Sequence, residues 1–113
     1  MSRQAAGLRA WLLQRLSGIF LAGYLSYLTL WFLLYPPTSH AAWVAWVGQP
    51  LNAVGLLLCL AVLLLHAWVG FRDVLIDYVP IFALRLSLLS LLALALLACG
   101  IWSLRIILVP LFN

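Results

Sequence analysis

Three side chains able to do chemistry lie close together in an otherwise apolar chain: His66, Asp77 and Tyr78. His66 ends a long apolar run, and the carboxylate and the phenol follow about three helical turns later. Both acidic residues of the protein, Asp73 and Asp77, fall inside this window. An imidazole can bind a metal or relay a proton, and a phenol beside a carboxylate can hydrogen-bond a carbonyl compound. The window is therefore the first candidate for a functional site.

The composition is that of a membrane protein. Hydrophobic residues make up 68% of the 113 residues and charged residues 7%, whereas a soluble domain carries about 25% charged residues. All six basic residues are arginines at the ends of apolar runs. They do not form the clustered stripe that nucleic-acid binding requires, so we expect contact with membrane lipid and none with nucleic acid.

Three apolar runs predict three transmembrane helices, at about 12–35, 50–72 and 81–105. Since one span takes roughly 20 residues, no length remains for a separate catalytic domain, and we interpret 1–113 as a single transmembrane anchor domain. Pro36 and Pro37 end the first run. That run is too long for a signal-peptide core and has no clear cleavage site, so we expect it to be retained. Trp43 and Trp46 indicate an interfacial segment after it.

The loop charges predict the orientation. The first loop carries no arginine, the C-terminal end carries only Arg105, and the second loop carries Arg72 with Arg85 at its edge. Three more arginines precede the first span: Arg3, Arg9 and Arg15. The positive-inside rule then places the N-terminus and the second loop in the cytoplasm and the C-terminus in the periplasm of a bacterial inner membrane. His66 to Tyr78 would lie at the inner face.

Small residues recur on one face of each of the first two spans. The first span carries Gly18, Ala22 and Ser26, and the second carries Gly55, Cys59, Val62, His66 and Gly70. Such faces let a helix or a flat ring approach closely, or they serve packing within the chain. Cys59 and Cys99 form no Cys-x-x-Cys pair and are interpreted as packing residues.

His66 lies about 8 Å short of the inner end of its predicted span. This position allows three possible roles. It could bind a haem iron, relay protons, or be satisfied by a neighbouring carbonyl group. The small-residue slot beside it favours haem, and Arg15 at the same side could pair with a haem propionate. His40 lies in the opposite loop, across most of a bilayer of roughly 30 Å. If the iron takes two histidines, the second must come from another chain.

Asp77 and Tyr78 also allow two interpretations. At the inner membrane edge, the phenol could donate a hydrogen bond to a quinone oxygen, and the carboxylate could help to protonate the reduced product. Alternatively, Tyr78 is an ordinary interfacial tyrosine and Asp77 pairs with Arg72 or Arg85.

The window from His66 to Tyr78, followed by Ala83-Leu84-Arg85-Leu86, resembles the hydrophobic membrane anchor of succinate dehydrogenase (respiratory complex II) of the proteobacterial type. The three-span layout and the Arg15 region extend the resemblance over nearly the whole chain. The specific part is the histidine with the Asp-Tyr pair at this spacing.

The resemblance implies a role for each site residue. His66 would be an axial ligand of haem b, shared with a histidine of the second anchor, the cytochrome b subunit, and Arg15 would lie near the propionates. Tyr78 would hydrogen-bond ubiquinone, the substrate, and Asp77 would lie beside the quinone pocket. Some relatives have a histidine upstream of the arginine, where this chain has Arg9, Ala10 and Trp11.

We therefore expect an all-α membrane protein whose three transmembrane helices pack with the partner anchor into a haem-binding helical bundle. It would anchor succinate:ubiquinone oxidoreductase, with the flavoprotein and iron–sulfur subunits carrying out succinate oxidation. No complete active site is expected here, since no Gly-rich dinucleotide motif or cysteine cluster is present. Two alternatives are an anchor of quinol:fumarate reductase and a non-redox transporter or channel subunit. The second would place a carboxylate within the membrane, whereas both acids lie at its inner edge.

Overall fold

A computed structural model describes residues 3–112 of the chain. Four α-helices account for most of this range: α1 (Arg3–Leu34), α2 (His40–Gly48), α3 (Pro50–Tyr78) and α4 (Phe82–Phe112). No strand occurs between residues 3 and 112. The molecule measures 50 × 25 × 25 Å, so its long axis exceeds the roughly 30 Å of a bilayer's hydrocarbon core. The all-helical fold predicted from the sequence is confirmed.

Proline and glutamine positions determine where the helices stop and start. Tyr35 N–H still bonds Trp31 O at 2.7 Å, but Pro36 and Pro37 then end α1 because they lack an N–H group. Gln49 alone separates α2 from α3, and Pro50 occupies the first turn of α3, where its missing N–H costs nothing.

The long helices extend further than the predicted 12–35, 50–72 and 81–105. α1 begins nine residues earlier, α3 continues to Tyr78, and α4 continues through Arg105 to Phe112. The predicted bounds followed the apolar runs, but arginine and alanine are good helix formers. A charged residue therefore does not mark the end of a helix in this chain.

α3 lies in the middle of the molecule. It packs against α1 on one side and α4 on the other, while no Cα atoms of α1 and α4 approach within 8 Å in the described range. α2 covers the beginning of α3 and the end of α4. The three long helices thus form an open layer, which leaves both faces of the layer available to lipid or to other chains.

An aromatic cluster anchors α2. Ser39 caps the helix by accepting a hydrogen bond from Ala42 N–H at 3.1 Å. The Trp43 and Trp46 rings stack at 6.0 Å, and Phe32 of α1 meets Trp46 edge-on at 4.9 Å. The interfacial segment predicted from the two indoles is therefore a short helix with its own packing.

The three long helices satisfy the length and hydropathy expected of membrane spans: Ala6–Leu34, Pro50–Tyr78 and Phe82–Phe112. Within the chain itself, only 11%, 11% and 6% of their most apolar windows are buried. Large side chains such as Ile19, Leu33 and Leu94 are exposed. So much apolar surface requires lipid or partner helices to cover it.

Candidate functional site

His66 lies in the third quarter of α3, facing α1. Its Nδ1 atom is 2.8 Å from Ser17 Oγ, and a Cβ placed on Gly18 would be 3.6 Å from its Cε1 atom. The ring therefore packs against a small stretch of α1 and is held there by one polar contact.

The hydrogen-bond pattern favours one tautomer of His66. Ser17 has a single hydroxyl proton, and it donates to Gln14 O at 3.1 Å. The Nδ1 atom is then the donor toward Ser17 Oγ, and the lone pair lies on Nε2. No hydrogen bond within residues 3–112 engages Nε2. A neutral imidazole with Nδ1–H held and Nε2 free is the usual form of a metal-binding histidine.

An open groove of about 320 Å³ adjoins His66. Its lining comes mostly from one side of α3, with a single residue from α1: Gln14, His66, Ala67, Gly70, Phe71 and Val74. The lining is largely apolar, as is typical of sites for flat organic cofactors.

A second cavity of about 630 Å³ lies near the beginning of α1 and the C-terminal part of α3 and shares Gln14 with the groove. Two cations line it, Arg15 and Arg72. Arg15 lies over the Trp11 ring at 5.6 Å, and Arg72 bonds Asp73 at 3.0 Å. The cavity could hold one or two carboxylates, because guanidinium groups pair with carboxylates in a planar, bidentate geometry.

These residues fit a haem. A histidine on α3 has its Nε2 free for an iron, the groove beside it is largely apolar, and a cation-lined cavity adjoins the groove through Gln14, whose Oε1 is buried without a hydrogen-bond partner in the described chain. His40 lies elsewhere: it lines a cavity with Trp43, Trp102 and Arg105 at the opposite end. It cannot reach the same iron, since the 16 residues from Pro50 to His66 alone span about 24 Å.

Asp77 and Tyr78 form the last turn of α3. Both are exposed, Tyr78 to 79%. Asp77 is eleven residues from His66 and so lies within roughly 20° of the same helix face, about 16 Å further toward the C-terminal end of α3. In the described part of the chain Asp77 forms no ion pair, since Arg72 takes Asp73 and Arg85 lies over the Phe82 ring at 5.8 Å. The alternative pairing of Asp77 with Arg72 or Arg85 is thus not observed.

The small-residue face of α3 packs in part against α1, which is one of the two uses expected for it. A Cβ on Gly55 would meet Tyr24 Oη at 2.6 Å, and one on Gly70 would meet Gln14 Nε2 at 2.9 Å. α1 fills the slot because the missing side chains let the two helices approach closely. The face therefore serves packing within the chain, while its His66 and Gly70 also line the open groove.

The sequence alone did not identify three residues as members of this site: Ser17, Gln14 and Arg72. Ser17 and Gln14 become visible only when α1 is placed against α3, and no periodic pattern singles them out. Arg72 was considered for topology and as a partner of Asp77, although its place six residues after His66 could have indicated a position near the C-terminal end of the same site.

Asp, Glu, His and Cys side chains form no cluster of three or more between residues 3 and 112. Any metal bound at His66 would therefore need further ligation from a cofactor or another chain.

Comparison with known proteins places these features in a family. The family model described as succinate dehydrogenase/fumarate reductase transmembrane subunit matches residues 1–103. A succinate dehydrogenase hydrophobic membrane anchor subunit of Coxiella burnetii is 27% identical over 99 residues, covering 88% of this chain and 86% of the relative. The protein of the same name from Rickettsia felis is 38% identical over 85 residues, covering 74% and 70%.

The matched region includes α1, α2, α3 and most of α4, and thus every residue of the His66 site. Three apolar helices in such a chain make it a multi-pass membrane protein. The chain belongs to the succinate dehydrogenase/fumarate reductase transmembrane subunit family.

Proposed function

We propose that this chain is one of two hydrophobic anchors of a succinate:ubiquinone oxidoreductase. The observation that carries the proposal is His66, which α1 holds with Nε2 unengaged in the described range, in a chain of this family. Membership of this family disfavours a role as a transporter or channel subunit. An anchor of quinol:fumarate reductase would use the same residues, because the direction of electron flow depends on cofactor potentials and not on this chain.

His66 would supply one axial ligand of haem b through Nε2. The second histidine would come from the partner anchor, since His40 lies at the far end of the bundle. The haem, when bound, would exchange single electrons. Arg15 would pair with a propionate, and Arg72 adds a second cation in the same cavity.

Tyr78 and Asp77 would contribute to the quinone site at the inner end of α3. The exposed phenol can donate a hydrogen bond to a quinone carbonyl, and the exposed carboxylate can deliver protons to the reduced product. Both groups need a facing wall to make a pocket, which the partner anchor and the iron–sulfur protein would provide. The exposed apolar faces of the open layer are consistent with such partners.

The proposed setting is a bacterial inner membrane with the N-terminus in the cytoplasm and the C-terminus in the periplasm. Five of the six arginines belong to the chain segments at the His66 end of the three spans, whereas Arg105 alone belongs to the other end. The flavoprotein and iron–sulfur subunits would then dock on the cytoplasmic side, beside Tyr78.

The test is the absorption spectrum of the whole purified complex with His66→Ala and, as a matched control, His40→Ala. We expect a reducible b-type Soret band that His66→Ala abolishes or shifts and His40→Ala leaves intact. An unchanged spectrum and haem-to-protein ratio in His66→Ala would remove His66 from the iron.

A further inference from the structure

Ser17 is a buried polar side chain in the middle of an apolar contact. It is 7% exposed and is the only polar or charged residue buried to this degree in the described part of the chain. A hydroxyl in such a place is costly unless its hydrogen bonds are satisfied. Ser17 satisfies them with Gln14 O and His66 Nδ1.

The other hydroxyls on the helices differ from Ser17. Thr29 Oγ1 donates to Leu25 O at 2.8 Å, and Ser87 and Ser90 donate to the carbonyl groups of Ala83 and Leu86. In the part of the chain the structure describes, each of these three bonds only its own helix and is exposed. Ser17 also bonds its own helix, but its acceptor lone pair reaches across to α3. Among the hydroxyls of residues 3–112, it is the one that links two helices, and it does so at the candidate iron ligand.

We propose that Ser17 is a positioning residue for His66: it accepts the Nδ1–H hydrogen bond, fixes the tautomer with a bare Nε2, and sets the angle of the ring. This inference rests on the proposed role of His66 as a haem ligand. Ser17 does not touch the iron or the quinone. It acts through the imidazole, as outer hydrogen-bond partners of metal-bound histidines do.

Two consequences follow from the contact. The hydrogen bond makes the imidazole a stronger electron donor, which stabilises the oxidised iron and lowers the midpoint potential. It also removes rotational freedom from the ring, so that less entropy is lost when the haem binds. Without Ser17 Oγ, Nδ1–H would lose its partner at an apolar helix contact, and both tautomers and other ring angles would become accessible.

The experiment compares Ser17→Ala, Ser17→Cys and Ser17→Thr in the purified whole complex. Haem content, the midpoint potential of the haem and its low-spin ferric electron paramagnetic resonance signal are measured for each. Thr29→Ala is the matched control, because it removes a hydroxyl of the same helix that bonds only Leu25 O. Gly18→Ala adds a methyl group against the ring at an ordinary contact distance of 3.6 Å without changing a hydrogen bond.

We expect Ser17→Ala to weaken haem retention by roughly 10–100-fold, to raise the midpoint potential of the haem that remains, and to broaden or shift its resonance signal. Ser17→Thr should keep the haem retention, midpoint potential and resonance signal of the unaltered complex, since it keeps the hydroxyl. Ser17→Cys should give values between those of Ser17→Ala and Ser17→Thr, since a thiol is a weak hydrogen-bonding group. If the Ser17→Ala complex fails to assemble, a difference in midpoint potential and resonance signal between Ser17→Cys and Ser17→Thr tests the positioning role in its place.

An unchanged midpoint and signal in the Ser17 variants, with haem still lost in His66→Ala, would overturn the positioning role and leave His66 as the ligand. Haem unaffected by His66→Ala would instead remove His66 from the iron, and with it the role proposed for Ser17. A purely structural role of Ser17 would lower the yield of complex but would leave the midpoint of the assembled haem where it was.

Discussion

Arg72 bonds its neighbour Asp73 through both Nε and Nη2, at 3.2 and 3.0 Å from the same carboxylate oxygen. The pair lines the cavity near the beginning of α1 and the C-terminal part of α3, together with Arg15. Asp73 offsets the charge of Arg72, and Arg15 has no ion-pair partner in the described range. Arg15 is therefore the cation more available to a bound carboxylate.

Removal of Arg15 should lower the midpoint potential of a haem in this cavity. A nearby positive charge disfavours the oxidised haem relative to the reduced haem, so Arg15→Gln should stabilise the oxidised form. At an effective dielectric constant near 20, one charge about 10–15 Å away contributes roughly 1 kcal/mol, or about 40 mV for one electron. A redox titration of the complex measures the shift. Arg15→Lys should leave the midpoint potential close to that of the unaltered complex, because it keeps the positive charge.

Arg105→Gln provides the matched control for Arg15→Gln. Arg105 lies over Trp102 at 5.7 Å much as Arg15 lies over Trp11 at 5.6 Å, but it is at the opposite end of the molecule. The control should leave the midpoint unchanged. Equal shifts in the two variants would mean that the effect is one of overall charge or assembly, and that Arg15 is not near the haem.

The close contact of Tyr24 with Gly55 predicts a strong effect of a single methyl group. In Gly55→Ala the new Cβ would be 2.6 Å from Tyr24 Oη and 3.3 Å from two ring carbons, so the ring or the helix must move. Such overpacking typically costs about 1–3 kcal/mol. The thermal midpoint of the purified complex should fall for this variant.

Tyr24→Phe in the Gly55→Ala background should recover part of that loss, because it removes the oxygen that clashes. Gly23→Ala is the control, since a Cβ there meets nothing within 4 Å in the described chain. Gly70→Ala should cost less than Gly55→Ala, because only the flexible end of Gln14 must yield. If Gly55→Ala is as stable as Gly23→Ala, α1 and α3 do not pack this closely.

Hydropathy and helix breakers were enough to predict the three spans, their order and the interfacial indoles, because each of these depends on local composition. The start of α1 and the ends of α3 and α4 were missed, since backbone hydrogen bonding continues past charged residues such as Arg72 and Arg105. His66, Asp77 and Tyr78 could be identified because ionisable groups are rare in this chain. Ser17 could not, because its role depends on how α1 is rotated against α3.

The same rotation decides between the two uses that the sequence left open for the small-residue face. The sequence shows which face of α3 is smooth, but not which helix occupies it. Tyr24 and Gln14 reach Gly55 and Gly70 because α1 is the neighbour, and an approach by a partner helix would have required the same glycines. Patterns on one helix therefore predict close packing without identifying the packed element.

Reporter fusions should read alternating sides of the membrane along the chain. The arginine-rich end contains the beginning of α1 and the loop after Tyr78, whereas α2 and the end of α4 lie together at the other end. Fusions after Ala45 and at the C-terminus should both read periplasmic, and a fusion after Tyr78 should read cytoplasmic. A cytoplasmic signal after Ala45 would invert the orientation and place Tyr78 on the wrong side for an iron–sulfur partner.

Tyr78→Phe should slow quinone reduction without impairing succinate oxidation by a soluble acceptor that takes electrons upstream. Tyr78 is 79% exposed, so loss of its hydroxyl should not disturb the packing of α3. One lost hydrogen bond typically costs about 0.5–1.5 kcal/mol, which is up to roughly tenfold in rate or affinity. Asp77→Asn should have a milder effect if its part is to deliver protons.

Tyr35→Phe is a matched control, an exposed tyrosine just beyond the far end of α1. Both acceptors are assayed on the same purified complex: equal losses would assign Tyr78 to assembly, and normal quinone reduction in Tyr78→Phe would remove it from the site.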